Sequence, residues 1–334
     1  MAQNRHLATP DSEYAALLAQ LPTLPPVRDV QVLRKMTKDV VVPTLNRIRG
    51  ASLPAETKYR VTDHEIAVDC GTISVRCTTP TKGEVFPLMV WVHGGGFVTG
   101  TLEPDDYLLR TLSVELGIVT VNVEYRLAPE FPFPTPLNDC YAALKWAADN
   151  AALLSASVTK GFILGGQSAG GNLVAALAYR AREDLFFQGR ALTGHLLQYP
   201  QVIHPDAVPA RYKSELLSIE ELKDAPVLKR DDLLFFAQAY QAEPYNPECS
   251  PLLYPSHAGL PPLYMQVCGW DPVRDECLLY EKVLREAGAD TKIDIYPGVP
   301  HIFAAMHPTL SQAVKHDRDM REGIRWLLEK TAQS

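Results

Sequence analysis

The chain has 334 residues, of which 46% are apolar, with 27 prolines and 20 glycines. That composition excludes a disordered or collagen-like chain and supplies enough apolar material for a sizeable core. With 32 basic and 39 acidic side chains the net charge is −7, which excludes a design for nucleic acid or another polyphosphate partner and predicts weak repulsion from anionic membranes.

No apolar run approaches the ~18 residues of a membrane span, so no stable membrane insertion is expected. The opening MAQNRHLATPDSEY has no apolar core of a signal peptide. Cys70, Cys77, Cys140, Cys249, Cys268 and Cys277 are scattered with no CxxC pair, so free thiols in a reducing cytosol are expected rather than a zinc or redox motif. Cys268 sits in an apolar run and reads as core. At roughly 150 residues per domain the length suits two domains, or one large α/β domain with insertions.

The first 55 residues read as helical. Thr9 is a candidate N-cap, Pro10 suits the first helical position, and Asp11 and Glu13 favour the positive helix end. After the break Leu24-Pro25-Pro26, Val30, Leu33, Met36 and Val40 recur at helical spacing, and Pro43 ends or kinks that helix. Tyr59 to Val68 and Thr72 to Thr78 read as strands around an Asp69-Cys70-Gly71 hairpin turn. Phe86 to Val92 and Gly117 to Glu124 are strands. Arg126 to Leu137, with Pro129, Pro132, Pro134 and Pro136, is an irregular loop, and Asn138 to Leu154 a helix. From there strands at 161–165, 192–199, 263–268 and 292–296 alternate with helices at 169–181, 277–287 and 312–330. This order predicts an α/β fold, a mostly parallel sheet covered by helices on both faces. The stretch from Pro200 to Pro262 is too long for a connection and reads as an insertion with a helix from Asp231 to Tyr240.

Gly166-Gln167-Ser168-Ala169-Gly170 follows an apolar strand and opens an Ala-rich helix. This is the strand–turn–helix setting of a nucleophile elbow, where small residues clear space around the serine. His93-Gly94-Gly95-Gly96-Phe97 follows another strand; its glycines let backbone N–H groups approach a substrate oxygen. No nucleotide fingerprint accompanies it. Among nine histidines, His301 stands out because it follows the last strand by a short loop, on the sheet edge that carries Ser168. His93 orders its loop, and His307 and His316 read as solvated. Asp271 is the first acid past the 263–268 strand, with Asp275 and Glu276 as rivals, or simply first-turn acids of the next helix. The chain order Ser168, Asp271, His301 is that of α/β-hydrolases.

The sequence resembles the hormone-sensitive lipase-like carboxylesterase branch of the α/β-hydrolase superfamily. The resemblance is carried by HGGGF from His93, YRLAPE from Tyr125, GQSAGG from Gly166, DPVRDE from Asp271 and PHIF from Pro300. It implies a helical cap over an α/β-hydrolase fold, with residues 56–334 as the catalytic domain and residues 1–55 and about 200–262 as cap segments, not an independent domain. YRLAPE reads as a structural brace. Family members commonly carry Asp or Thr before the nucleophile, where this chain has Gln167, which supplies no charge.

The expected activity is a serine esterase. Ser168 attacks, His301 is the base, Asp271 orients it, and Gly94, Gly95 and Ala169 offer N–H groups to the oxyanion, with no metal or cofactor. The expected partners are a small ester, short-chain or acetyl and hydrophobic, and optionally a second copy in a homodimer. An amide, lactone or formamide hydrolase would use the same triad. Some plant relatives resembling the family are hormone receptors without the histidine; the presence of His301 argues against that role. Phe235, Phe236 and Tyr240 are candidates for lining the pocket, or for helix packing.

Overall fold

The computed structural model describes residues 4–22, 25–50 and 53–332, so Leu24 of the proline-rich break lies outside the described residues. In chain order the elements are α1 (Ser12–Leu18), α2 (Val30–Met36), α3 (Val42–Arg49), β1 (Tyr59–Val68), β2 (Gly71–Pro80), β3 (Leu88–Val92), α4 (Glu103–Leu116), β4 (Val119–Glu124) and α5 (Thr135–Asp149). There follow β5 (Phe162–Gln167), α6 (Ala169–Glu183), β6 (Gly194–Gln198), α7 (Ser218–Glu221), α8 (Arg230–Tyr240), β7 (Leu263–Cys268), α9 (Arg274–Glu286), β8 (Thr291–Tyr296), α10 (Phe303–Met306) and α11 (Ser311–Thr331).

The eight strands form one sheet in the order β1-β2-β4-β3-β5-β6-β7-β8. Only the β1–β2 and β2–β4 pairs are antiparallel; from β4 to β8 all neighbours run parallel. Side chains on a strand alternate between faces, and β3 shows the consequence. Met89 and Trp91 join Leu109, Leu112, Ile324 and Leu327 of α4 and α11 in one core. Leu88, Val90 and Val92 join the larger core that includes α5, α6 and α9 on the other face. All five β3 side chains are fully buried, which explains the unbroken apolar run.

Several expectations need correction. Asp11, not Thr9, caps α1: its carboxylate accepts from the Glu13 and Tyr14 N–H groups, so Pro10 stands before the helix. Pro43 does not end its helix. The turn before it, Thr37–Val41, widens to a π-helix, and α3 continues with the proline in its first turn, so the helix is distorted at a ring that lacks an N–H rather than ended by it. A helix, α4, forms between the strands expected at 86–92 and 117–124: Pro104, Asp105 and Asp106 lie in its first turn and Gly117 caps it in a left-handed conformation. Gly117 is therefore outside β4.

The stretch before β1 and the insertion between β6 and β7 meet, Arg28 Nε donating to Asp232 at 2.9 Å. Among the described residues, no helix is long and apolar enough to cross a membrane.

His316, expected to be solvated, is buried on α11, ringed by Tyr199, Tyr296 and Phe303. His195 is fully buried on β6. Burial pushes both imidazoles down to about 4. They are neutral in the fold and protonate at about pH 6.5 in the unfolded chain. The unfolded state therefore binds more protons, and stability is full above pH 6.5 and falls as pH drops towards 4. The urea midpoint should decline from pH 7 to pH 5. A His195→Gln, His316→Gln double variant should show a flatter decline; an unchanged slope would contradict this assignment.

Candidate active site

The site forms at the C-terminal ends of adjacent parallel strands, where an open α/β sheet leaves loops free to carry chemistry. Ser168 stands between β5 and α6 at φ 53°, ψ −121°, a conformation rare for a non-glycine residue. Its N–H donates to the Gln198 carbonyl at 2.9 Å. This turn passes very close to β3. A Cβ on Gly170 would lie 2.2 Å from the Val92 carbonyl oxygen, and one on Gly166 would lie 2.8 Å from the same atom. Glycine is therefore required at both positions by space.

His301 follows β8 and Asp271 follows β7. The Ser168 Oγ lies 2.8 Å from His301 Nε2, across 133 positions of sequence. His301 Nδ1 lies 2.6 Å from Asp271 Oδ2. A carboxylate only accepts, so the proton belongs on Nδ1, and Nε2 then accepts from the serine hydroxyl. Asp271 is fully buried, and its other oxygen accepts the Val273 N–H at 3.1 Å. The edge of the Tyr199 ring meets the His301 ring, with centroids 4.8 Å apart.

The rivals of Asp271 are engaged elsewhere. Asp275 accepts from the Leu217 and Ser218 N–H groups at 3.0 and 2.8 Å, and from the buried Arg274 at 2.9 Å. Glu276 accepts from the Ile203 N–H at 3.1 Å, and burial pushes its carboxyl well up. Both therefore hold the insertion between β6 and β7 against the start of α9.

The glycine loop is braced from behind. His93 is buried, which pushes its imidazole down; its Nδ1 meets the Gly94 carbonyl oxygen at 2.7 Å, and its ring stacks on Tyr125 at 4.3 Å. The Tyr125 hydroxyl donates to the His93 carbonyl at 3.0 Å, and the Ala128 N–H to the Phe97 carbonyl at 2.9 Å. Arg126 donates two bonds from its guanidinium to the buried Asp139. Arg34, from α2, donates to the Val98 and Ala128 carbonyls and to Glu130. The YRLAPE segment thus clamps the glycine loop from beneath. Among the described residues the N–H groups of Gly94, Gly95 and Ala169 have no hydrogen-bond acceptor. Ala169 is the first residue of α6, whose leading N–H groups have no partner inside the helix.

Beside Ser168 lies a cavity of about 20 Å³, lined chiefly by Phe97, Leu228, Leu233, Phe236 and Val273. Phe236 lines it, packed on Gly96. Tyr240 instead stacks on Phe97 at 3.9 Å in the core, and Phe235 packs against Phe236. Among the described residues no cluster of three or more His, Cys, Asp or Glu side chains suits a metal ion.

Sequence reasoning missed Asp105, Tyr199 and the role of Gln167. Gln167 Nε2 donates to both Asp105 oxygens at 2.8 and 2.9 Å. Recognising α4 from its acidic first turn would have placed Asp105 near this sheet edge.

Comparison with known proteins adds the lineage. A family model described as alpha/beta hydrolase fold matches residues 89–305. The versiconal hemiacetal acetate esterase of Dothistroma septosporum is 35% identical, over 75% of this chain and 76% of that protein. The esterase LipI of Mycobacterium tuberculosis is 32% identical, over 81% of this chain and 84% of that protein. The crystal structure of vibralactone cyclase superposes with a TM-score of 0.96 at 43% identity, covering 98% of this chain and 97% of that one.

The contact of α6 with β3 is directly testable. Gly170→Ala should force the elbow from the Val92 carbonyl, lowering the unfolding free energy by the ~1–3 kcal/mol of an overpacked site, and the urea midpoint with it. Labelling of Ser168 by a fluorophosphonate should slow roughly tenfold or more, since small displacements of reacting groups are costly. Labelling at the unmodified rate would show that the close approach is dispensable.

Proposed function

The chain belongs to the hormone-sensitive lipase-like carboxylesterase branch of the α/β-hydrolase family and is an enzyme that hydrolyses carboxylic esters, and on that premise we propose that Ser168, His301 and Asp271 do the chemistry. The observation that carries this reading is the hydrogen-bonded chain from Ser168 Oγ through both His301 nitrogens to the buried Asp271. Ser168 Oγ attacks the ester carbonyl carbon as its proton passes to His301 Nε2. Asp271 holds the imidazole tautomer and stabilises the imidazolium. The oxyanion takes the N–H groups of Gly94, Gly95 and Ala169, each such donor contributing roughly 3–4 kcal/mol to the transition state. The intermediate collapses, His301 returns the proton to the departing alcohol, and an acyl-enzyme remains. Water, deprotonated by His301, attacks the acyl carbon, and Ser168 leaves with that proton.

The substrate we propose is a short-chain, and in particular acetyl, ester of a hydrophobic small molecule. The cavity beside Ser168 is apolar and about 20 Å³, room for little more than a methyl group or one water. A relative named for an acetate ester points the same way. We further propose that the helices before β1 and those between β6 and β7 act together as a cap over this cavity. Six free cysteines, five of them buried, suit a reducing cytosol.

A second reading has specific support. An acyl-enzyme can also be attacked by a hydroxyl of its own acyl group, its proton passing through His301 to the departing Ser168 oxygen, and the product is a lactone. The likeness to vibralactone cyclase across almost the whole chain favours this variant of the same chemistry.

Ser168→Ala should abolish turnover of p-nitrophenyl acetate and butyrate; retained turnover would refute the assignment. The parent enzyme should prefer acetate and butyrate to octanoate. Phe236→Ala should raise the octanoate-to-butyrate ratio of kcat/KM by roughly tenfold. An unchanged ratio would remove Phe236 from the acyl wall.

A further inference from the structure

Gln167 carries no charge, yet a carboxylate stands against it, 62 positions away in sequence. Asp105 lies in the first turn of α4, where the unpaired N–H groups of the helix favour an anion. It is 5% exposed. Its Oδ2 accepts the Trp91 indole N–H at 2.9 Å, and both oxygens accept from Gln167 Nε2. Trp91 is the penultimate residue of β3, which leads into the glycine loop. Gln167 is the last residue of β5, which leads into Ser168. One side chain therefore ties together the ends of the two neighbouring strands that carry the oxyanion donors and the nucleophile.

The link continues towards the base. Gln167 Oε1 accepts the Tyr199 hydroxyl at 3.2 Å, and the Tyr199 ring rests its edge against His301. A carboxylate needs a donor, and the Tyr199 hydroxyl here donates, so the group between them donates at one end and accepts at the other. A glutamine does so.

We propose that Asp105 is a positioning residue for ester hydrolysis: through Trp91 and Gln167 it keeps the glycine loop and the Ser168 elbow in register, and through Gln167 and Tyr199 it sets the face of His301. This rests on the esterase reading above. Asp105 touches no reacting atom. It acts by fixing the distance between donors on one strand and a nucleophile on the next, a distance to which rate is very sensitive. A carboxylate that served packing alone would be replaceable by its isostere without effect on kcat.

Isosteric variants separate the two. Asp105→Asn keeps the shape and removes the charge, and should lower kcat for p-nitrophenyl butyrate roughly tenfold to a hundredfold, with KM within about twofold. Gln167→Glu sets carboxylate against carboxylate and should lower kcat at least as far. The double variant D105N/Q167E moves the charge across one hydrogen bond and restores a donor–acceptor pair; kcat should recover to within about fivefold of the parent. Tyr199→Phe, which keeps the ring and loses the hydroxyl, should lower kcat by a smaller factor. The rate of fluorophosphonate labelling of Ser168 should follow the same order.

Parent-like kcat in Asp105→Asn, or a double variant no faster than the slower single one, would overturn the proposal. Should the Asp105 variants fail to fold, parent-like kcat in Tyr199→Phe would overturn it through the His301 arm. Failure of the esterase reading looks different: the parent would be labelled at Ser168 and turn over no ester, while the labelling order would still report on Asp105.

Discussion

The chemistry of this protein depends on how closely the first turn of α6 crosses the end of β3. Gly166 and Gly170 face the Val92 carbonyl at distances no side chain tolerates. That approach lets Ser168 sit at a strained positive φ on the sheet edge. It also brings the glycine loop against the elbow, a Cβ on Gly94 falling 3.3 Å from that of Ser168, so one backbone crossing sets the proposed nucleophile beside the proposed oxyanion donors. The remaining two groups reach the same edge because β5, β7 and β8 run parallel in one sheet.

Around this crossing the structure distributes its acids by role. Asp271 is committed to His301, whereas Asp275 and Glu276, a few positions on, are committed to backbone N–H groups of the insertion. Asp139 neutralises Arg126 beneath the glycine loop. Each acid is buried, so moving any one would strand a donor away from water, at a cost of about 1–3 kcal/mol or more. The insertion is thereby anchored four and five residues from Asp271, so the wall of the cavity beside Ser168 is tied to the sheet edge that carries His301.

Much of the site was legible because its requirements are local. The elbow needs glycines at fixed offsets, the glycine loop follows a strand, and His301 follows the last strand. What was not legible depends on contacts between distant segments. Thr9 and Asp11 are both good caps in isolation, and only the fold selects Asp11. His316 lies among charged residues of α11 and reads as solvated, yet its helical phase turns it inwards against three aromatic rings. The helix α4 carries local signals, acids at its start and a glycine at its end, but no side-chain cap sets it apart from the glycine-rich loop before it. The absence of charge at position 167 could be read from sequence; its hydrogen bonds to Asp105 could not, because nothing local links the two. The parallel sheet and its two helical layers followed from the strand–helix alternation, whereas several strand ends moved by one or two residues.

The central claim is that ester cleavage passes through an acyl group on Ser168. Intact-protein mass spectrometry after rapid quenching of a p-nitrophenyl butyrate reaction, followed by peptide mapping, measures this directly. The account predicts one butyryl group per chain, on the peptide holding Ser168, formed with the first release of nitrophenol and lost as the reaction ends. Turnover with no adduct, or with an adduct on another residue, would contradict it.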